Sequence, residues 1–440
     1  MMENISLFMF PVMILVVFAG FPVTFSLMGI SLYFGIVCFG PEIIPMIIRR
    51  VYGVADNYVL AAVPLFIFMG TMLERSGIAK ILFETISMWM GRIKNGLAVT
   101  TILMCTIIAA CTGIIGAAEV MVGVMAIPPM MKRGYNHALI AGTVIAGGAL
   151  GTIIPPSVVT VVYGPAAGIS VGRLLIATIF PGLLLSSVYV LYIVVRSYGQ
   201  SGFAPPISSE DRDIPLSRKL KATVTGMLPS AVLIFTVMGT IILGFAAPTE
   251  AAALGAFGSV LLTIGYGNFT LKVLQEATIQ TLKISSMMMM ILLGGFMFSG
   301  VFLGLGGSDA TERMLSALNM GPWAVLVFFL FIVYLAGFLL DWASILLIFV
   351  PIFSPIIDKL GFDPIWFGAL FIMMIQTSYL TPPMAPGIFY LKGIAPPELT
   401  TREMFRGIVP YMLLQLVAIA VVVFFPQIAL WLPEKLIGWN

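Results

Sequence analysis

The chain is 440 residues long, 60% hydrophobic and only 9% charged, with a formal net charge of +3. Soluble domains carry roughly a quarter of their residues as charges, so a sizeable soluble domain is excluded and a polytopic membrane protein is indicated. The small net charge, with its basic residues gathered between apolar runs, argues against nucleic acid as a partner. Cys38, Cys105 and Cys111 all lie in apolar runs and read as small hydrophobes, with no spacing for a disulfide or metal framework. The N-terminal apolar run lacks a basic leader and continues to Gly40, which speaks against a cleavable signal.

In chain order, residues 5–40 are almost wholly apolar, with an interruption at Gly20-Phe21-Pro22. One crossing takes about 20 residues, so two short spans are expected, 5–20 and 22–40. A polar loop with Arg49, Arg50, Asp56 and Asn57 follows, then a span over 58–72 and an amphipathic interfacial stretch over 78–90. Residues 95–133 are apolar, but Cys111-Thr112-Gly113-Ile114-Ile115-Gly116 interrupts their centre and Pro128-Pro129 their end. Each half is about 15 residues, short for a crossing, which predicts a re-entrant helical hairpin with its tip at Thr112 and Gly113. The next span, 138–163, contains Gly147-Gly148-Ala149-Leu150-Gly151-Thr152-Ile153-Ile154-Pro155-Pro156-Ser157. Glycines and paired prolines break the helical hydrogen-bond ladder there, and free backbone groups at membrane depth survive only where protein or a polar cavity covers them. A span over 174–195 and a polar cytoplasmic loop over 196–222 complete the first half.

The second half brings a linker span (222–244), a span over 251–266 opened by Pro248-Thr249-Glu250, an amphipathic stretch (272–283) and a span over 284–303. A polar amphipathic stretch (308–318) leads to a second hairpin over 323–357, with Gly337, Asp341, Trp342 and Ser344 at its tip. A second broken span covers 365–390, interrupted by Gln376-Thr377-Ser378-Tyr379-Leu380-Thr381-Pro382-Pro383-Met384-Ala385-Pro386-Gly387, and the last span covers 404–432. The corresponding domain division is 1–57 (N-terminal scaffold spans), 58–195 (first repeat core), 196–222 (loop), 223–303 (linker and scaffold spans), 304–392 (second hairpin and broken span) and 393–440 (C-terminal span).

The halves repeat. At one constant offset Pro128 meets Pro355, Lys132 meets Lys359, Gly134 meets Gly361, Pro155-Pro156 meet Pro382-Pro383, and Tyr163 meets Tyr390. An odd number of crossings separates the halves, so the second is inverted. With both termini periplasmic, most of the 22 Lys and Arg residues fall inside, as positive-inside topology requires; the Arg49-Arg50 pair is the main exception. The fold class expected is therefore an all-α polytopic membrane protein with two inverted repeats, each holding a re-entrant hairpin and a broken helix. That combination marks a secondary transporter whose site lies where hairpin tips meet broken helices.

Four stretches resemble the DctM-type large membrane subunit of tripartite ATP-independent periplasmic (TRAP) transporters: Pro64-Leu65-Phe66-Ile67-Phe68-Met69-Gly70, Ala247-Pro248-Thr249-Glu250-Ala251-Ala252-Ala253, and the two breaks themselves. The resemblance runs over essentially the whole chain. Asp341-Trp342, Gln376-Thr377-Ser378 and Ile428-Ala429-Leu430-Trp431-Leu432-Pro433 look most like its so-called mannitol/chloroaromatic branch. What the resemblance implies is a permease of the bacterial inner membrane, not an enzyme, with sodium as its coupling ion and no other cofactor. A periplasmic binding protein delivers a small organic acid, a small four-helix membrane subunit (DctQ type) buttresses the permease, and an elevator movement carries the cargo. Relatives that carry sialic acid have a Ser-Gly-Ser first tip, whereas Thr112-Gly113-Ile114 stands here, so Ile114 supplies only its backbone.

Sodium prefers oxygen ligands, and unwound carbonyls provide them. The first break offers carbonyls at Gly151, Ile154 and Pro156 and hydroxyls at Thr152 and Ser157. The second offers Thr377, Ser378, Thr381 and Pro382. The sodium candidates are Thr112, Gly151, Ile154, Pro156, Asp341 and Thr381. Asp341, an intramembrane acid, either coordinates the ion or substrate or caps the hairpin's second helix, and the two roles are compatible. Glu119 either faces a polar cavity, senses protons or pairs with another span. Trp342 either packs against substrate or fills the tip. Glu250 reads as a helix cap, His137 as a surface residue, and the run 287–290 of methionines as packing. Two other functions are compatible with such a chain in principle: a stand-alone ion-coupled carrier without a binding protein, and an intramembrane enzyme, for which paired acids or zinc-ligand spacing are missing.

Overall fold

A computed structural model describes residues 2–91, 93, 95–113, 116–199, 214–382 and 385–437. Among these no strand occurs, and eight helices are long and apolar enough to cross a membrane. The chain is a multi-pass, all-helical membrane protein.

The helices follow the apolar runs. The first are α1 (Met2–Phe18) and α2 (Val23–Phe39), parted where Gly20 takes a positive φ and Pro22 opens the next helix. The stretch read as a polar loop is instead a helix, α3 (Ile43–Ala55): its apolar face buries Ile43 and Val54 while Arg49 and Arg50 stay exposed. Helical periodicity there was hidden by the arginine pair. Then come α4 (Ala62–Arg75) and α5 (Ile78–Met90), the latter with the amphipathic bounds expected. The first hairpin consists of α6 (Gly96–Thr112) and α7 (Ala117–Lys132). The first broken span is α8 (His137–Ala149), a single 3-10 turn at Leu150–Thr152, and α9 (Val158–Ala167).

The span expected over 174–195 is in fact two helices, α10 (Val171–Ala177) and α11 (Ile179–Gly199), joined at Thr178. Residues 200–213, most of the loop expected over 196–222, lie outside the described residues, as do Ile114, Ile115, Pro383 and Met384 of the two interruptions. The linker span is α12 (Leu216–Ala222), a π-helical turn and α13 (Leu228–Ile242). In α14 (Pro248–Gly265) Glu250 reaches back to accept from the Ala247 N–H at 2.8 Å, the capping role expected of it. The stretches 272–283 and 284–303 are one unbroken helix, α15 (Leu271–Gly304). With 34 residues and neither Pro nor a central glycine pair strong enough to end it, it is about 50 Å long at the helical rise.

The remainder is α16 (Gly307–Ala317), the second hairpin α17 (Pro322–Ala336) and α18 (Trp342–Lys359), and the second broken span α19 (Pro364–Leu380) and α20 (Pro386–Lys392). The C-terminal span divides into α21 (Thr401–Phe424) and α22 (Gln427–Ile437), because Pro426 cannot continue the ladder.

Packing is reciprocal between the halves. Helix α15 lies on α2 and α14 lies on α4, while α18 packs on α9 and α7 on α20. Without a hydrophobic force between helices in lipid, small residues set the close crossings. At the α8–α21 crossing a Cβ on Gly142 would sit 2.2 Å from the Gly407 carbonyl, and one on Gly407 would sit 2.1 Å from that of Ala138. Polar ties reinforce these contacts: Thr143 with Tyr411 at 2.8 Å, Trp366 Nε1 to the Val422 carbonyl at 2.9 Å, and Thr71 with Thr281 at 3.1 Å. His137 pairs with Glu403 at 3.1 Å across the same crossing. Large apolar side chains such as Phe8, Phe25, Phe235, Phe257 and Val417 face outward, as a lipid-facing or subunit-facing surface requires.

Candidate functional site

At the first break, α8 tightens into its 3-10 turn, whose end is sealed by Ile153 N–H to the Leu150 carbonyl at 3.1 Å. The glycine pair and Gly151 weaken the helix, and Pro155-Pro156 forbid its continuation. Gly151, Thr152, Ile154, Pro156 and Ser157 are all buried. Thr152 Oγ1 donates to the Ala149 carbonyl at 2.9 Å, and Ser157 Oγ donates to the Thr152 carbonyl at 2.5 Å, folding the loop on itself.

The first tip lies against this loop. Gly113 ends α6 in the left-handed region at φ 59°, its N–H bonded to the Ala109 carbonyl at 2.9 Å. A Cβ on Gly113 would come within 2.7 Å of the Pro156 carbonyl oxygen. On the other side, a Cβ on Gly70 of α4 would be 2.8 Å from the Thr112 carbonyl. Thr112 is thus wedged between α4 and the break, its hydroxyl donating to the Ile108 carbonyl at 3.0 Å.

The second tip meets the second break with different chemistry. A Cβ on Gly337 would be 2.0 Å from Ser378 Cβ, so only glycine admits α19 at that distance. Asp341 caps α18: Oδ2 accepts from the Ala343 N–H at 3.0 Å, and Oδ1 accepts from the Ser344 hydroxyl. The charge therefore rests on a helix N-terminus, where it is stabilised by the dipole. The capping reading of Asp341 holds, and the carboxylate remains half-buried while Ser344 is fully buried. Trp342 packs partly into the core. Along α19, Thr377 Oγ1 donates to the Met374 carbonyl at 2.5 Å, Ser378 to that of Ile375, and Thr381 to that of Thr377 at 2.6 Å. Each of these hydroxyls spends its hydrogen on a nearby backbone carbonyl, which leaves its lone pairs free to accept. Thr381 is buried and Pro382 exposed; Ala385 resumes the chain at φ 30° with its N–H on the Thr381 carbonyl at 3.0 Å.

The structure therefore brings Thr112 and Gly113 to the first break and Gly337 to Ser378 of the second. Glu119 stands apart from both tip contacts. It is fully buried on α7, and its Oε2 accepts from the Tyr379 phenol of α19 at 2.6 Å. Its Oε1 has no hydrogen-bond partner. A buried charge left unpaired costs about 3–5 kcal/mol, and an unmet neutral polar group about 1–3 kcal/mol. Tyr379 and Gln376, whose fully buried amide has both ends unpartnered, were not among the site residues expected from the sequence. The polar run 376–379 inside an apolar span was the available signal.

Paired hairpins seated on paired broken helices, in an all-helical bundle, define a membrane transporter. The model of the family described as tripartite ATP-independent periplasmic transporter, DctM component, matches residues 10–428, and the chain belongs to that family. The chain is 31% identical to the C4-dicarboxylate TRAP transporter large permease protein DctM of Pseudomonas aeruginosa, over 93% of this chain and 94% of that protein. It is 26% identical to the sialic acid TRAP transporter large permease protein SiaM of Vibrio cholerae, over 96% and 97%. Identity is 27% to the ectoine TRAP transporter large permease protein TeaC of Halomonas elongata, over 94% and 96%. The crystal structure of the Alcanivorax borkumensis YdaH transporter, described as having an unusual topology, shares the fold: TM-score 0.62 over 89% of this chain and 90% of that one, at 17% identity.

Proposed function

We propose that this permease imports a small organic acid on a sodium gradient, after a periplasmic binding protein has delivered it, and works with a small four-helix membrane subunit. The observation that carries the reading is the seating of each tip on its own break, Gly113 on Pro156 and Gly337 on Ser378. Each contact gathers carbonyl and hydroxyl oxygens, the ligands a hard cation takes. Sodium ligands come from Thr112, Gly151, Ile154 and Pro156 at the first site and from Asp341 and Thr381 at the second. No Lys or Arg side chain contacts either tip among the described interactions, so a carboxylate cargo is held by backbone N–H groups and by the co-transported cations. The reciprocal packing of the halves supports inverted repeats and an elevator movement of hairpins with broken helices, and the bias of basic residues supports periplasmic termini, in the inner membrane. The C4-dicarboxylate name of one relative favours a carboxylate, and the motif at Asp341-Trp342 favours the mannitol/chloroaromatic branch.

The test is uptake of radiolabelled succinate, then of whatever acid stabilises the cognate binding protein, into vesicles holding both membrane subunits. Uptake is expected to need an inward sodium gradient and the binding protein. Equal uptake without the gradient sinks sodium coupling, and equal uptake without the binding protein leaves a stand-alone carrier.

A further inference from the structure

Glu119 has no role in either tip contact, yet it is the most confined acid described. On α8, a Cβ on Gly148 would lie 2.6 Å from Glu119 Cβ; on α20, one on Gly387 would lie 3.3 Å from Oε2. From α19 the Tyr379 phenol donates to Oε2 at 2.6 Å, and the Tyr390 ring of α20 stacks beside Tyr379 at 6.4 Å between centroids. The Cys105 thiol of α6 and the Tyr390 phenol are the other titratable groups in its field. Among the described residues no Lys, Arg or His pairs with it, and Oε1 meets no donor.

We propose that Glu119 is a proton-binding site, held as a neutral carboxylic acid while α7 lies against α19 and α20. The carboxylate takes one proton from water on closing and returns it to water on opening; no other bond changes. A metal cation would need several oxygens around Oε1, whereas the one hydrogen-bonding neighbour described is the Tyr379 phenol, already bonded to Oε2. A proton needs no such shell, and a neutral carboxyl with one unmet oxygen costs far less than an unpaired buried ion. The site joins the first hairpin of one half to the broken helix of the other, so any motion that parts them exposes it. This inference stands whether or not sodium drives transport.

Infrared spectra of the full-length chain in phosphatidylcholine vesicles test it without a transported solute. At neutral pH a protonated-carboxyl carbonyl band is expected, lost in Glu119→Gln, kept in Glu84→Gln at an exposed position of α5, and shifted to higher frequency in Tyr379→Phe, which removes the hydrogen bond to Oε2. Should Glu119→Gln not fold, Tyr379→Phe leaves the carboxyl in place and still reports. A wild-type chain lacking the band at neutral pH, or a band that neither substitution alters, overturns the proposal.

Discussion

At the first tip, backbone meets backbone: Gly113 sits in a left-handed conformation against the Pro156 carbonyl, with no charged side chain in the contact. At the second, Gly337 has an ordinary helical conformation, and what it accommodates is a side chain, Ser378, while Asp341 caps the next helix with a carboxylate. The two contacts reach close approach by different means. The first is neutral and owes its shape to chain conformation. The second carries charge and owes its shape to packing and capping. Substitutions should therefore separate them.

The largest effect is expected at Gly337. Gly337→Ala places a methyl group on Ser378 and should destabilise the protein by about 1–3 kcal/mol, the usual cost of overpacking, with a lowered Tm. Combining it with Ser378→Gly should recover most of the loss; a double variant no better than the single one would show that the contact is not the cause. Next comes Gly113→Ala, which meets both the left-handed penalty of about 1–2 kcal/mol and the Pro156 carbonyl. Here no companion glycine exists on the opposing backbone, so no single second substitution should rescue it in thermal unfolding.

Asp341 tests charge against capping. Asparagine caps nearly as well as aspartate, whereas alanine loses about 1 kcal/mol. Asp341→Asn should thus keep Tm near wild type while raising the sodium concentration for half-maximal uptake by about tenfold, equivalent to about 1.4 kcal/mol. Asp341→Ala should lose stability as well. If Asp341→Asn and wild type share one sodium dependence, Asp341 is a cap alone. The smallest effect is expected from Thr112→Val against Thr381→Val. On the proposed reading each removes one neutral oxygen from a sodium site, about 0.5–1.5 kcal/mol, which sodium titration of uptake would read as a shift of a few fold.

Much of this was legible beforehand. Span lengths, hairpins and breaks follow from the balance of apolar run against Gly and Pro, because a membrane leaves the backbone few alternatives. The constant register of Pro128, Pro155 and Tyr163 with their counterparts is the sequence's own argument for two repeated halves. What failed did so for local reasons. The arginine pair gives α3 the look of a loop because its apolar face is narrow, and Lys272 and Lys283 give the start of α15 a polarity that the rest lacks, although one helix runs through both. Of the two compatible roles open to Asp341, the cap is the one the structure shows, since capping is decided within three residues. The partner of Glu119 was out of reach, since Tyr379 lies 260 positions away and no short-range pattern links them.

By itself the sequence determined that this is a multi-pass helical protein with two interrupted hairpins and two interrupted helices, since hydrogen-bond satisfaction in an apolar medium acts residue by residue along the chain. Only the tertiary structure decided which surfaces meet. It chose Pro156 as the neighbour of Gly113, Ser378 as that of Gly337, and Tyr379 as the donor to Glu119. Those choices rest on close packing between distant segments, where a missing Cβ or one phenol determines whether two helices can touch.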